Sequence, residues 1–181
     1  MSTILVVSGS VRPHSVNSRM VPYVASMLKD KGVEVTIADL KELDLPFFDN
    51  PIPPSAPEFA PTDERVVKWT RMVAEADGVV LVTPEYNRTM TPVQLNAIDW
   101  IYKEWHGKPV ALVGYGWGSG AGRAHTVARE ALAVNLNAVV GDEQANLYFM
   151  KELNPDGTVL DAEATERKVG AAIDELLEAV A

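Results

Sequence analysis

Cysteine is absent from the 181 residues. That excludes a disulfide framework, a thiolate metal site and a cysteine nucleophile. Histidine is scarce, and His14, His106 and His125 show neither metal-ligand spacing nor an accompanying acid cluster. No metal site is expected. No GxSxG motif is present, and nothing marks a Ser–His–Asp triad. Basic residues are outnumbered, 16 Lys+Arg against 25 Asp+Glu, for a net charge of −9. That balance disfavours nucleic acid, which needs a basic face. No apolar run approaches the roughly 18 residues of a membrane span. The opening MSTILVVSGSVRP lacks the basic segment of a signal peptide. A cytoplasmic protein that touches no membrane is the expectation.

What is present is ordinary globular material. Hydrophobic residues make up 47% and charged residues 23%, which argues against disorder. The length suits one domain over residues 1–181, since domains run to roughly 100–200 residues. There is no internal repeat. Four apolar runs stand out: TILVVS at 3–8, VEVTIA at 33–38, GVVLVT at 78–83 and PVALVG at 109–114. The first, third and fourth are nearly continuous in Val, Leu and Ile, as strands buried on both faces are. A fifth strand falls at 138–140 or at 147–149.

Helical patterns separate the runs. Over 18–31, Met20, Val24 and Leu28 recur at four, and Gly32 suits the C-cap. Pro22 predicts a late start or a kink. Thr62 is placed to cap a helix opening on Asp63 and Glu64. Further helices are expected over 94–105, 123–136 and about 161–180. The alternation predicts right-handed crossovers and a doubly wound, five-stranded parallel sheet with helices on both faces. In such sheets ligands sit beyond the carboxyl ends of the strands. Residues 46–61 hold six of the twelve prolines, with Phe47, Phe48 and Phe59. So stiff a segment reads as a cover for a pocket or partner, or as a plain surface loop.

Three loops then carry the chemistry. GSVRPHSVN, 9–17, leaves a buried strand and enters a helix. Gly9 permits a tight turn, and Ser10, Ser15 and Asn17 supply short polar groups. Arg12 adds a positive fork and the helix start adds N–H donors. The set suits a phosphate monoester, although Ser15 and Asn17 also serve simply as helix caps. It is neither GxGxxG nor a Walker loop. TPEYNRTMTP, 83–92, offers the Tyr86 face, the Asn87 amide and the Glu85 acceptor to a flat heteroaromatic ring; as a set of turn formers it needs no ligand. GYGWGSGAGR, 114–123, has five glycines among nine residues, so backbone N–H groups can approach a ligand closely.

GSVRPHSVN together with PEYNRTMTPVQLNAIDW resembles the NADPH-dependent FMN reductase family, a flavodoxin-like group that includes quinone, azo-dye and chromate reductases. The likeness spans roughly residues 3–135. It implies tightly bound FMN, NADPH or NADH as electron donor, and a homodimer or homotetramer. It places the phosphate on Ser10, Arg12, Ser15, Val16 and Asn17. The ring and ribityl chain fall to Pro84, Glu85, Tyr86 and Asn87, with Tyr115, Gly116 and Trp117 acting mainly through backbone groups. The flavin carries the chemistry, so no catalytic side chain is implied. Hydride passes from nicotinamide to flavin and on to a small-molecule acceptor: a quinone, free flavin, azo dye or metal oxyanion. The rival reading is a flavodoxin-type electron carrier without an NAD(P)H site; Arg12 speaks against it.

The chain also departs from the family. Leu95 stands where the family has Lys, while Asn96, Ala97, Asp99 and Trp100 are kept. Tyr115 and Gly116 stand where small hydroxyl residues are common. Phe47, Phe48, Phe59, Trp100, Tyr102 and Trp105 read as an exposed aromatic patch and hence as a subunit boundary. Asp99 reads as structural rather than catalytic.

Overall fold

The computed structural model describes residues 2–181. Five strands pair in parallel in the order β2-β1-β3-β4-β5. They are β1 (Thr3–Ser8), β2 (Glu34–Asp39), β3 (Gly78–Pro84), β4 (Pro109–Gly116) and β5 (Val139–Tyr148). Six helices cover the sheet: α1 (Asn17–Asp30), α2 (Leu40–Leu43), α3 (Glu64–Glu75), α4 (Pro92–Asp99), α5 (Gly122–Arg129) and α6 (Ala162–Ala179).

Alternation along each strand builds two cores. Ile4, Val6, Val80 and Val82 pack on Met20, Val24 and Leu28 of α1 and on Val169, Ile173 and Leu176 of α6. Leu5, Val7, Val79 and Leu81 face Val66, Trp69 and Val73 of α3 and the underside of α4 and α5. Every residue of β3 is buried, which is why its sequence has no polar alternation. β1 leads outward to β2, and the chain then returns to place β3 on the other side of β1. The crevice at the carboxyl ends of β1 and β3 is therefore the topological switch point, where ligands bind in this architecture.

The expected elements shift in instructive ways. α1 begins at Asn17 and runs through Pro22, whose ring lies on the exposed face. Asp63, not Thr62, caps α3, accepting from Arg65 N at 2.9 Å. The expected helix over 94–105 stops at Asp99, and one 3₁₀ turn follows at Lys103–Trp105. The helix over 123–136 is α-helical to Arg129, then widens to a π-helical stretch over Glu130–Asn135. The two alternative sites for a fifth strand lie at or beside the two ends of one strand, β5, whose register shifts opposite Val110–Leu112.

The aromatic patch is largely internal, which corrects the surface reading. Trp105 is fully buried beside Trp69, ring centroids 6.2 Å apart. Trp100 is buried, edge-on to Phe48 at 5.0 Å. The Pro46 carbonyl accepts from Trp100 Nε1 at 2.7 Å and from Asn96 Nδ2 at 2.8 Å. Asn96 Oδ1 in turn accepts from Phe48 N at 2.9 Å. The proline-rich segment is thus a strap tied down on α4. Of its aromatics only Phe47 stands out, 78% exposed.

Candidate cofactor site

The β1–α1 loop has an unusual backbone. Gly9 N donates to the Val82 carbonyl at 3.0 Å, tying the loop's base to β3. From Ser10 to Val16, no backbone N–H finds a protein acceptor among the described residues. Buried N–H groups are normally paired, and here Ser10 and Val16 are both buried. Such a run of free donors ahead of a helix forms an anion cradle. The loop lines a cavity of about 320 Å³ with Ser10, Arg12, His14, Ser15 and Ser18 on its walls. Arg12 makes no ion pair among the described residues. Hydroxyls, free N–H groups and an unpaired guanidinium are the donor set of a phosphate monoester, so the residues present fit the phosphate end of FMN.

Two of the expected phosphate ligands have other work. Asn17 is buried; its Nδ2 donates to Ser8 Oγ at 3.2 Å and to the Val82 carbonyl at 3.1 Å. Its Oδ1 accepts from the Tyr115 hydroxyl at 2.6 Å. The Asn17 side chain is therefore a pin, not a free donor. Val16 turns its side chain into the core, leaving only backbone to a ligand. Tyr115 is also buried, and its hydroxyl lies 3.4 Å from Ser15 Oγ. Burial pushes the Tyr115 phenol well above its ordinary range, so it stays a donor.

The β3–α4 loop closes over the first. Tyr86 and Thr89 exchange both backbone hydrogen bonds at 3.0 Å. Asn87 and Arg88 between them have φ of 51° and 67°, as a two-residue type I′ turn demands. The turn delivers Tyr86 to the β1–α1 loop. Its hydroxyl lies 3.1 Å from Ser10 Oγ, and Arg12 sits 6.0 Å from the ring centroid. Asn87 is exposed at the rim. Glu85 turns away from the cavity to the third loop.

The glycines of the β4–α5 loop divide by role. A Cβ on Gly114 would lie 2.5 Å from Ala121 Cβ, 2.6 Å from His125 Nε2 and 2.8 Å from the Thr83 carbonyl oxygen. Gly114 serves close packing of α5 on β4, not ligand approach. Gly120, with φ of 59°, is likewise pressed on Asn146 and Tyr148. A Cβ on Gly116 or Gly118 would meet only ordinary contacts, at 3.4 Å and 3.6 Å, and Gly118 is exposed. Backbone N–H groups from Trp117 to Gly120 have no acceptor among the described residues. Trp117 is 66% exposed, its ring 5.2 Å from Phe149.

Several contributing residues gave no signal in the sequence. Gln94 is buried against Gly9, with Nε2 3.4 Å from the Val82 carbonyl, and Thr91 Oγ1 donates to the Gly9 carbonyl at 2.6 Å. His125 is fully buried under Gly114, and neither ring nitrogen has a partner of ordinary geometry; the adjacent Asn146 Oδ1 is likewise unpaired. Ser119 and Arg123 bind Glu85.

The family model for NADPH-dependent FMN reductases matches residues 2–150. The chain belongs to that family. Among curated relatives, an NAD(P)H-dependent FMN reductase of Saccharomyces cerevisiae is 33% identical over 149 residues, covering 75% of this chain and 76% of that one. One from a Nectria species is 30% identical over 154 residues, covering 82% and 76%. Among solved structures, the flavoenzyme NAD(P)H:(acceptor) oxidoreductase FerB of Paracoccus denitrificans superposes with a TM-score of 0.77 at 25% identity, covering 98% of each chain. The FMN reductase match ends just beyond β5, so α6 lies outside it although it builds half of one core.

Proposed function

We propose that this FMN reductase holds the phosphate of FMN in the β1–α1 loop, on Ser10, Arg12, Ser15 and the free N–H groups between Ser10 and Val16. The run of unpaired donors at the switch point carries the reading. Tyr86 and Asn87 would hold the ring, and the free N–H groups around Trp117 and Gly118 would serve as its donors. Asn17 and Tyr115 brace the loop from beneath. Bound there, FMN would supply the hydride-transfer chemistry that links NADPH or NADH to a small acceptor. The protein supplies orientation and donors for the charge that develops. Residues 1–181 act as one FMN-binding domain, assembled as a homodimer or homotetramer in the cytoplasm.

A quinone is the acceptor class with most support. A quinone reductase of Pseudomonas putida is 30% identical over 141 residues, covering 74% of this chain. A 2-hydroxy-1,4-benzoquinone reductase of a Burkholderia species is 36% identical over 116. A flat quinone stacks where the nicotinamide stacked and needs few directional contacts.

Protein reconstituted with FMN should be yellow and should bleach within seconds on anaerobic NADPH. Persistent yellow would favour an electron carrier. Arg12→Ala should raise the FMN dissociation constant about ten- to hundredfold, since a charge-assisted phosphate contact contributes roughly 1.5–3 kcal/mol. Riboflavin, which lacks the phosphate, should bind both proteins equally. Unchanged FMN affinity would remove Arg12 from the site.

A further inference from the structure

Helix α5 starts without a cap of its own. Its N-cap residue is Ala121, at φ 80°, with no side-chain hydrogen bond. The first-turn N–H groups of a helix need an acceptor, normally the N-cap side chain. Here Ser119 Oγ of the same loop lies 3.4 Å from Arg123 N, and the shorter bond comes from another loop. Glu85 Oε2 accepts from Arg123 N at 3.1 Å and from Ser119 Oγ. Glu85 Oε1 lies 3.6 Å from the Arg123 guanidinium. Only 9% of the Glu85 side chain is exposed. Its own backbone N–H donates to the Tyr115 carbonyl at 3.1 Å.

We propose that Glu85 is a positioning residue, a cap of α5 supplied by another loop, which clasps the β4–α5 loop to the β3–α4 loop and does not itself touch the flavin. A carboxylate at a helix N-terminus is stabilised by the helix dipole. It also occupies the α5 N-terminus, so that helix end is not open to a phosphate. The two ring-facing loops then move as one body. Trp117 and Gly118, which sit between the clasp and β4, are held where their N–H groups can serve the ring. The FMN half of this inference rests on the site proposed above; the clasp does not.

The test begins with the full-length chain freed of FMN. Amide exchange at Gly122, Arg123 and His125 should quicken about tenfold in Glu85→Ala, because a charge-assisted bond is lost. Unchanged exchange overturns the clasp, whether or not the wild type binds FMN. FMN affinity is then read in a double-mutant cycle. Glu85→Ala should raise the dissociation constant about tenfold and Ser119→Ala about fivefold, with the double variant no worse than Glu85→Ala alone, as expected for residues in one network. Multiplied effects would mean that Glu85 contacts FMN directly, and would overturn the proposal. Should Glu85→Ala fail to fold, Glu85→Gln keeps an acceptor oxygen and loses the charge. Exchange should still quicken there, and wild-type exchange rates would again overturn the clasp.

Discussion

His125 is a neutral imidazole enclosed in the second half of the fold. Burial holds its pKa down to about 4, with Asn146, Gln144 and Glu85 pulling weakly the other way. In the unfolded chain the ordinary value is about 6.5. The unfolded state therefore takes up a proton first as pH falls. The stability His125 confers is complete above pH 6.5 and is lost progressively between 6.5 and 4. A shift of that size corresponds to roughly 3 kcal/mol. Denaturant unfolding of wild type and His125→Leu at pH 7 and pH 4 should show the wild type losing about 3 kcal/mol more. Parallel losses would refute the assignment. Nothing in the sequence marked His125, because an isolated His in a helix pattern has no signature of its depth. The place of Arg12, Ser10 and Ser15 was legible, since a buried strand ending in Gly and short polar residues opens onto the sheet's carboxyl edge. Asn17 was read as a phosphate ligand or helix cap, and its side chain is tied to Ser8, Val82 and Tyr115. Its partner, Tyr115, lies 98 residues away, and such pairings are invisible to local patterns.

Packing of elements follows from a few contacts of that kind. α5 lies so close to β4 that Gly114 has no room for a methyl group against the Thr83 backbone and Ala121. Gly114→Ala should destabilise by about 3 kcal/mol or more, beyond the usual range for an overpacked core, because backbone cannot move aside. Thermal unfolding decides it, and a variant within 1 °C of wild type would sink this account. Gly116→Ala is the control, since its nearest neighbour would be 3.4 Å away. The sequence grouped all five glycines of this loop as ligand-facing; only the structure separates those that admit a helix from those that face solvent. The strands themselves were readable. β1, β3 and β4 are buried on both faces and so are apolar throughout. β5 was not readable as one piece, because it is an edge strand with a register shift and several exposed residues. α4 ends at Asp99, and Asn96 within it and Trp100 at its cap both donate to the Pro46 carbonyl of the strap, a tie no local pattern shows.

Assembly is a question for the whole molecule. The aromatic groups first read as an interface mostly lie inside the fold, so Trp105→Glu would place a charge in the core and unfold the chain. Phe47, at 78% exposure, is the better probe. If the protein is a homo-oligomer that uses this rim, Phe47→Glu should reduce the mass seen by light scattering at micromolar concentration. Wild type measured at the mass of one chain would refute assembly altogether.

The β1–α1 loop leaves the ribosome well before most of what steadies it. Ser10 waits for Tyr86, the Gly9 carbonyl for Thr91, and Asn17 for Tyr115. At roughly 5–20 residues per second, the interval between Asn17 and Tyr115 is about 5–20 s of synthesis. During that time a nascent chain displays the donors without the scaffold that aims them. Loading of FMN at the site proposed above would therefore follow translation of β4.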